Sequence, residues 1–166
     1  MTHAQTSFAR RARTATVGVL LTTLAGGALG AAAPTASAVT ISSQAQMKMD
    51  VVTSVNAVRA KQGCKGLKIA KKLNWAAQGH ADDMMLTGLF SHTSADGRSW
   101  VTRIRATGWK RPAGENIAKG FGGAPEVMTA WMNSPEHRRN ILNCKFKYIG
   151  VGYNTLGEYW VQDFGY

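Results

Sequence analysis

The sequence predicts an α+β domain with an antiparallel sheet. Segments 47–62 and 68–87 repeat apolar residues at the three- and four-residue spacing of amphipathic helices, and a glycine follows each of them. Near the end of the chain, segments 148–153 and 158–164 alternate in polarity like two strands, joined by a turn at 154–157. Helices that precede and interrupt a few strands, the last two of them a hairpin, are typical of layered α+β domains.

The first 38 residues have the pattern of a secretion signal. A basic head at 10–13 precedes the uncharged run 14–33, and the small residues Ala-Ser-Ala at 36–38 form a signal-peptidase site. An uncleaved membrane anchor is the alternative, but glycines interrupt the run and a cleavage site follows it. We therefore predict cleavage near Ala38 and a secreted, extracellular product. The paired arginines leave both the general and the twin-arginine export routes open.

The predicted mature chain has the size of one domain, over 47–166, preceded by a short linker over 39–46. It carries 17 basic and 9 acidic side chains, a formal charge of +8. Five lysines lie early in it: Lys61, Lys65, Lys68, Lys71 and Lys72. Such a cluster either binds an anionic partner, such as nucleic acid or a charged envelope polymer, or forms a solvated helix face. No nucleic-acid motif accompanies it, so we expect a solvated face and no nucleic-acid partner.

The two cysteines, Cys64 and Cys144, both lie in the predicted mature chain. Exported proteins meet an oxidising or thiol-poor environment, so an even pair predicts one disulfide. A free catalytic thiol is the alternative, but neither cysteine has the sequence context of a known nucleophile. A bridge closing so long a loop would stabilise the fold by roughly 4 kcal/mol on loop-entropy arguments.

The middle of the chain predicts shorter elements. Segment 89–114 is rich in turn residues, and a short helix is predicted within it over 99–106. A short strand over 115–121 ends at a group of glycines, and a helix over 124–133 follows. Segments such as 89–114 often contain functional sites, because loops carry binding and catalytic residues on a rigid scaffold.

A further helix is predicted to begin directly after Ser134. Serine caps a helix through its side chain, and Pro135 suits the first helical position because its missing N–H is not needed there. Glu136 complements the positive end of the helix dipole, and the helix is predicted to end near Asn143.

Three histidines in the predicted mature chain are candidates for chemistry. His80 lies on the apolar face of the second predicted helix, where a buried, hydrogen-bonded structural role is expected rather than ligation. His92 lies in the turn-rich segment, where an imidazole can face a cleft. His137 is the third residue of its helix, and the dipole there favours a neutral ring that can bind a metal or accept a proton.

Four motifs together resemble the CAP superfamily, the cysteine-rich secretory, antigen and pathogenesis-related proteins, and its bacterial branch most of all. They are Phe90-Ser91-His92, Gly114-Glu115-Asn116-Ile117-Ala118, Ala130-Trp131-Met132-Asn133-Ser134-Pro135-Glu136-His137-Arg138-Arg139-Asn140-Ile141-Leu142 and Ile149-Gly150-Val151-Gly152. The similarity extends from about residue 51 to residue 164. The resemblance implies an α-β-α sandwich with a central antiparallel sheet flanked by helices.

The resemblance also implies a cleft with two histidines and acidic partners. The family's histidines match His92 and His137, and the glutamate of its Gly-Glu-Asn motif matches Glu115. The second glutamate of eukaryotic members falls near Ser134, which weakens any mechanism that needs two carboxylates. Glu136 is not expected to replace it, because adjacent helical residues point about 100° apart.

Metal binding is a hypothesis that rests on the same resemblance. Some members bind a divalent metal through the histidines, so His92 and His137 are the candidate ligands for a metal such as zinc. Glu115 in the family tends to orient a histidine rather than to coordinate the metal. No cofactor is certain.

Two functions from different classes remain. The first is a binding domain that engages a lipid, wall fragment or protein outside the cell, as a monomer without an integral membrane segment. The second is a hydrolase of peptidase or esterase type, with His92, Glu115 and His137 as catalytic candidates. The sequence lacks a serine nucleophile elbow, a cysteine-protease signature and a His-Glu-x-x-His zinc motif, and this favours binding.

Overall fold

The computed structural model describes residues 43–166. The predicted signal over 1–38, its cleavage site and residues 39–42 lie outside that range. The elements in chain order are α1 (Ser43–Lys61), β1 (Lys68–Ile69), α2 (Lys71–Thr87), α3 (Trp100–Ala106), β2 (Pro112–Lys119), α4 (Ala124–Asn133), α5 (Pro135–Ile141), β3 (Tyr148–Asn154) and β4 (Tyr159–Gly165). No helix of residues 43–166 is long and apolar enough to cross a membrane.

The four strands form one sheet in the order β1-β3-β4-β2. The predicted hairpin is confirmed: β3 and β4 pair antiparallel, with Tyr148 opposite Gly165 at one end. Strand β2 pairs antiparallel with the other side of β4 and forms an edge of the sheet. The short β1 pairs parallel with β3, so the sheet is mixed rather than purely antiparallel. The predicted α+β class is confirmed.

The helices cover both faces of the sheet, as the predicted sandwich requires. One face carries α1, α4 and α5, which pack on large side chains such as Trp160 and Phe164. The other face carries α2, whose Ala77, Ala81 and Met84 pack on the sheet. Helix α3 extends this second layer, since Ile104 packs with residues of α2. Neighbouring residues of a strand therefore point into different helical layers.

Several element boundaries differ from the predictions, and three of the differences result from contacts distant in sequence. Helix α1 begins at Ser43 and takes in half of the predicted linker 39–46, because the Gln44 amide bonds the Tyr153 carbonyl of β3. Residues Lys68–Ile69 are not the start of α2, because their main chain pairs with β3. Strand β2 is Pro112–Lys119 rather than 115–121, since β4 offers it partners over that span.

A disulfide and a buried arginine join the end of α1 to the segment after α5. Cys64 and Cys144 are bonded, which confirms the predicted bridge. The Arg59 side chain is fully buried beside it and donates to the carbonyls of Ile141 at 2.7 Å and Asn143 at 2.9 Å. Buried main-chain carbonyls need hydrogen-bond donors, and the Arg59 guanidinium supplies them. Burial lowers the pKa of Arg59. The two links fix the C-terminal side of α5 against the domain.

Helix α2 lies unusually close to β3, and two glycines make this possible. A Cβ at Gly150 would come within 2.1 Å of the Leu73 main-chain carbon, and one at Gly152 within 2.2 Å of the Ala77 carbonyl oxygen. The helix also satisfies main-chain groups of β3 that β1 is too short to reach. One example is the Asn74 side chain, which accepts from the Val151 N–H at 2.9 Å.

We predict that Gly150→Ala destabilises the protein by about 3 kcal/mol or more, the upper end for overpacked cores, because the new methyl would meet main-chain atoms. The matched control is Gly79→Ala in the interior of α2, where a Cβ meets nothing within 4 Å. That control is expected to stabilise the protein by about 0.5–1 kcal/mol through helix propensity. Urea unfolding of the two variants measures both effects, and equal stabilities would contradict the prediction.

Candidate functional site

Glu115 lies at the centre of the site, on the edge strand β2. Its carboxylate is 1% exposed, and its two oxygens have different partners. The Nδ1 atom of His92 lies 2.7 Å from Oε1, and the Arg103 guanidinium donates to Oε2 at 2.5 Å. His92 comes from the loop between α2 and α3, and its side chain is 51% exposed. Because a carboxylate only accepts, the Nδ1 atom of His92 carries a hydrogen and donates it to Glu115.

The Gly-Glu-Asn motif reaches both helical layers from one strand. Glu115 points toward α2 and α3, whereas Asn116 points toward α5. The Asn116 amide donates to the main-chain carbonyl of His137 at 3.2 Å. Asn140 of α5 donates in turn to the Asn116 side chain at 2.8 Å and to the Glu115 carbonyl. Two consecutive residues thus hold the two histidines, one from each layer, at the same edge of the sheet.

His137 is the third residue of α5, as predicted, and is partly buried. Burial lowers the pKa of its imidazole, the positive charge of His92 lowers it further, and Glu136 opposes both. The lowered pKa of His137 agrees in direction with the predicted neutral ring, although burial rather than the helix dipole is its main cause. No hydrogen bond within residues 43–166 uses the His137 ring, so its nitrogens are available to a ligand.

His80 has the structural role predicted for it. The residue is 0% exposed, and its Nε2 donates to the Ser91 carbonyl at 2.8 Å. Burial lowers the pKa of His80, and the nearby Arg103 charge lowers it further, so the ring is neutral at neutral pH. Because Ser91 precedes His92, this bond fixes the loop that presents His92 to the site.

Asp163 is a second buried carboxyl group, directly opposite Glu115 in the pairing of β2 with β4. It is 1% exposed, and neither oxygen has a hydrogen-bond donor from the rest of residues 43–166. Burial raises the pKa of Asp163 well above its usual range, and the negative charge of Glu115 raises it further. Burial in the sheet therefore favours the protonated, uncharged form of Asp163.

The remaining sequence candidates lie at the start of α5. Ser134 occupies the N-cap position, but its side chain makes no capping hydrogen bond, so that predicted cap is wrong. Its main-chain carbonyl instead accepts from Arg138 at 2.9 Å, and the helix ends at Ile141 rather than near 143. No ion pair or hydrogen bond within residues 43–166 joins the Ser134 side chain to the other site residues. Glu136 is exposed and affects the site only through its charge on His137.

Sequence reasoning missed two groups that contact Glu115 or lie beside it. Arg103 lies in a predicted helix, but nothing in the sequence distinguishes it from the exposed Arg105 two residues later. For Asp163 there was an indication, because an acidic residue is unusual in a buried strand. It lies in a strand that is buried on both faces, where an acidic residue requires a partner.

The fold and these motifs define a CAP domain. The profile of the CAP family, described as the cysteine-rich secretory protein family, matches residues 52–164. The chain therefore belongs to the CAP family, and the bacterial resemblance seen in the motifs is confirmed.

Two Bacillus subtilis proteins are similar in sequence. The uncharacterized protein YkwD is 43% identical over 124 residues, which are 74% of this chain and 48% of YkwD. The uncharacterized membrane protein YlbC is 30% identical over 122 residues, which are 73% of this chain and 35% of YlbC. The chain thus spans about half of one relative and about a third of the other.

Solved structures share the fold. An extracellular SCP-domain protein from Bacillus anthracis has a TM-score of 0.70 at 26% identity, covering 74% of this chain and 41% of that one. An outer surface protein from Borrelia burgdorferi has a TM-score of 0.63 at 24% identity, covering 72% of this chain and 93% of that one. A cysteine-rich secretory protein from Staphylococcus aureus also has a TM-score of 0.63, at 22% identity. The match covers 76% of this chain and 40% of that one.

We predict that His92→Gln raises the pKa of His137, because the variant removes the positive charge that repels the protonated His137 ring. The pKa stays below the usual value of about 6.5, since burial remains. Glu136→Gln is the control. It is expected to lower the pKa of His137, because it removes a negative charge that raises this pKa. NMR titration of the His137 ring protons measures both shifts. An unchanged pKa in His92→Gln would show that the two rings do not interact.

Asp163→Asn is expected to change how stability depends on pH. Above about pH 4 the unfolded chain releases the Asp163 proton that the native protein keeps, so native stability falls as pH rises toward the raised pKa. Asparagine has no such proton. The stability of the variant relative to the native protein should therefore increase with pH above 4. Urea unfolding at several pH values measures this, and a constant difference would contradict it.

Proposed function

We propose that this chain is exported and acts outside the cell as a non-catalytic binding domain, with His92, Glu115 and His137 at its ligand site. The state of Glu115 carries this proposal. Its carboxylate is buried, and both oxygens are occupied, one by His92 and one by Arg103. A carboxylate held in this way orients an imidazole but has no free oxygen to activate a water or a substrate.

Export is supported by the disulfide and by one structural neighbour. A bridge such as Cys64–Cys144 persists in oxidising compartments and is rare in the cytosol. The neighbour from Bacillus anthracis is described as an extracellular protein. Together with the secretion signal predicted over 1–38, these observations favour a domain that meets a lipid, wall fragment or protein outside the cell.

The donor set of the site suits a weak divalent-metal site that uses the two histidines. His92, whose Nδ1–H bonds a carboxylate, has the arrangement common among zinc-binding histidines, with Nε2 left to coordinate. His137 has a lowered pKa and keeps a neutral ring. Residues 43–166 contain no group of three or more ligating His, Cys, Asp or Glu side chains. Water or the bound ligand would supply the remaining coordination positions, and the metal would attract an anionic or carbonyl oxygen of that ligand.

We expect the native protein to bind zinc in calorimetry and the His92→Ala/His137→Ala double variant to lose that binding. Glu115→Gln should weaken it about 10- to 100-fold, as is typical when a carboxylate that orients a metal ligand is removed. Glu136→Gln is the matched control, since this acid is exposed and bonds neither histidine. Equal zinc binding by the native protein and the double variant would exclude these ligands.

The same variants distinguish binding from hydrolysis. Peptide, ester and cell-wall substrates should show no turnover with the native protein, with or without zinc. Turnover that is lost in both His92→Ala and Glu115→Ala would instead establish a hydrolase.

A further inference from the structure

A second concave surface lies between α2 and α3, and Arg103 is part of its lining. This α2–α3 groove has a volume of about 400 Å³. Its lining includes Trp75, Gly79, Asp82, Asp83, Arg98 and Arg103. The volume is in the range of small-molecule sites, which combine an apolar surface with a few fixed polar groups.

Trp75 supplies the apolar surface of the groove. Its side chain is 55% exposed, although an indole ring is normally buried or covered by a partner. The Lys71 ammonium lies 5.1 Å from the ring centroid and interacts with its π system. The ring is therefore held in place and still offers a flat apolar surface to the groove.

Gly79 keeps the space beside Trp75 open. It lies one turn further along α2, in the helix interior, where glycine costs roughly 0.5–1 kcal/mol relative to alanine. A Cβ at this position would meet nothing within 4 Å, so neither packing nor backbone geometry requires a glycine. The stability that a glycine at position 79 costs the helix is explained if the space beside Trp75 must stay open for a ligand.

The acidic side chains of the groove are fixed, and each leaves one oxygen free. Asp82 Oδ1 accepts from Gln78 at 3.1 Å and from Asn154 at 2.7 Å. Asp83 Oδ2 accepts from the Ala95 N–H at 3.1 Å. No hydrogen bond within residues 43–166 uses the second oxygen of either carboxylate. The polar groups are thus preorganised for a ligand that can donate to them.

The lining restricts the chemistry of that ligand. Carboxylates only accept hydrogen bonds and guanidinium groups only donate them, so the ligand must do both. Arg98 is ion-paired with Asp96 and Arg103 with Glu115, so the groove keeps the negative charge of Asp82 and Asp83 and disfavours an anion. The exposed indole requires a flat apolar face of about ring size. A sugar ring meets all these conditions, because its hydroxyls donate and accept around a face of C–H groups.

We propose that the α2–α3 groove binds a neutral sugar ring of an extracellular glycan, stacked on Trp75 and hydrogen-bonded to Asp82, Asp83 and Arg98. This proposal specifies the partner in the proposed function as a wall fragment. It rests on the proposed function only for the extracellular setting. The sugar binds apart from His92 and His137, so the two sites can be tested separately.

Calorimetry of the full protein with a tetramer of β-1,4-linked N-acetylglucosamine tests the proposal. Trp75→Ala should weaken binding at least tenfold, and Gly79→Leu should do the same by filling the groove. Gly79→Leu also removes the helix glycine, so it is expected to fold at least as stably as the native chain. Leu156→Ala is the control, since this residue is 83% exposed and does not line the groove.

Three results would overturn the proposal. The first is no binding of the tetramer or of maltotetraose by the native protein. The second is native affinity in both Trp75→Ala and Gly79→Leu. The third is Trp75-dependent binding of a neutral tetrapeptide without any sugar binding, which would make the groove a peptide site. Zinc binding is also measured in Trp75→Ala, and sugar binding in His92→Ala/His137→Ala. These two measurements distinguish a wrong assignment of the α2–α3 groove from a wrong assignment of the histidine site.

Discussion

The buried carboxylate of Glu115, held between Arg103 and His92, is the interaction on which the site depends. A buried charge is costly unless it is paired, and removal of one partner from such a pair typically costs about 3–5 kcal/mol. Arg103 balances the charge and also donates to the carbonyl of His92 at 2.9 Å. One ion pair therefore anchors β2, α3 and the His92 loop together. Burial and the negative charge of Glu115 together raise the pKa of Asp163, because a second buried anion at this place would have no further cation to offset it.

The packing of α2 on β3 positions the loop that carries His92 beside this ion pair. Gly150 and Gly152 let the helix lie directly on the strand, which fixes its height above the sheet. His80, buried on that helix, then bonds the carbonyl of Ser91 and sets the course of the loop to His92. On the opposite face, the amide of Asn116 sets the position of His137. The family motifs are therefore contacts across the edge of one sheet, made by side chains from different layers.

The sequence predicted those parts of the fold that depend on local periodicity. Helices α2, α3 and α4 and the β3–β4 hairpin were found because their apolar spacing or turns are visible within a short window. Strand β1 was missed because two residues carry no periodic signal and their partner lies about eighty positions away. The His92, Glu115 and His137 set came from a family resemblance, whereas Arg103 and Asp163 depend on pairings that only the folded sheet creates.

A hydrolytic mechanism that uses a carboxylate directly does not fit this geometry. Such a mechanism needs a carboxylate free to exchange a proton with water or substrate. Here Glu115 is occupied on both oxygens, and Asp163 is enclosed in the sheet. Serine, which cannot replace a carboxylate as a base, stands at 134 where eukaryotic members have their second acid. The groups left to meet a ligand are two imidazoles, which are suited to coordinating a metal or accepting a hydrogen bond. The buried Glu115 therefore holds His92 in place, and the Asn116 amide holds His137 through its main-chain carbonyl.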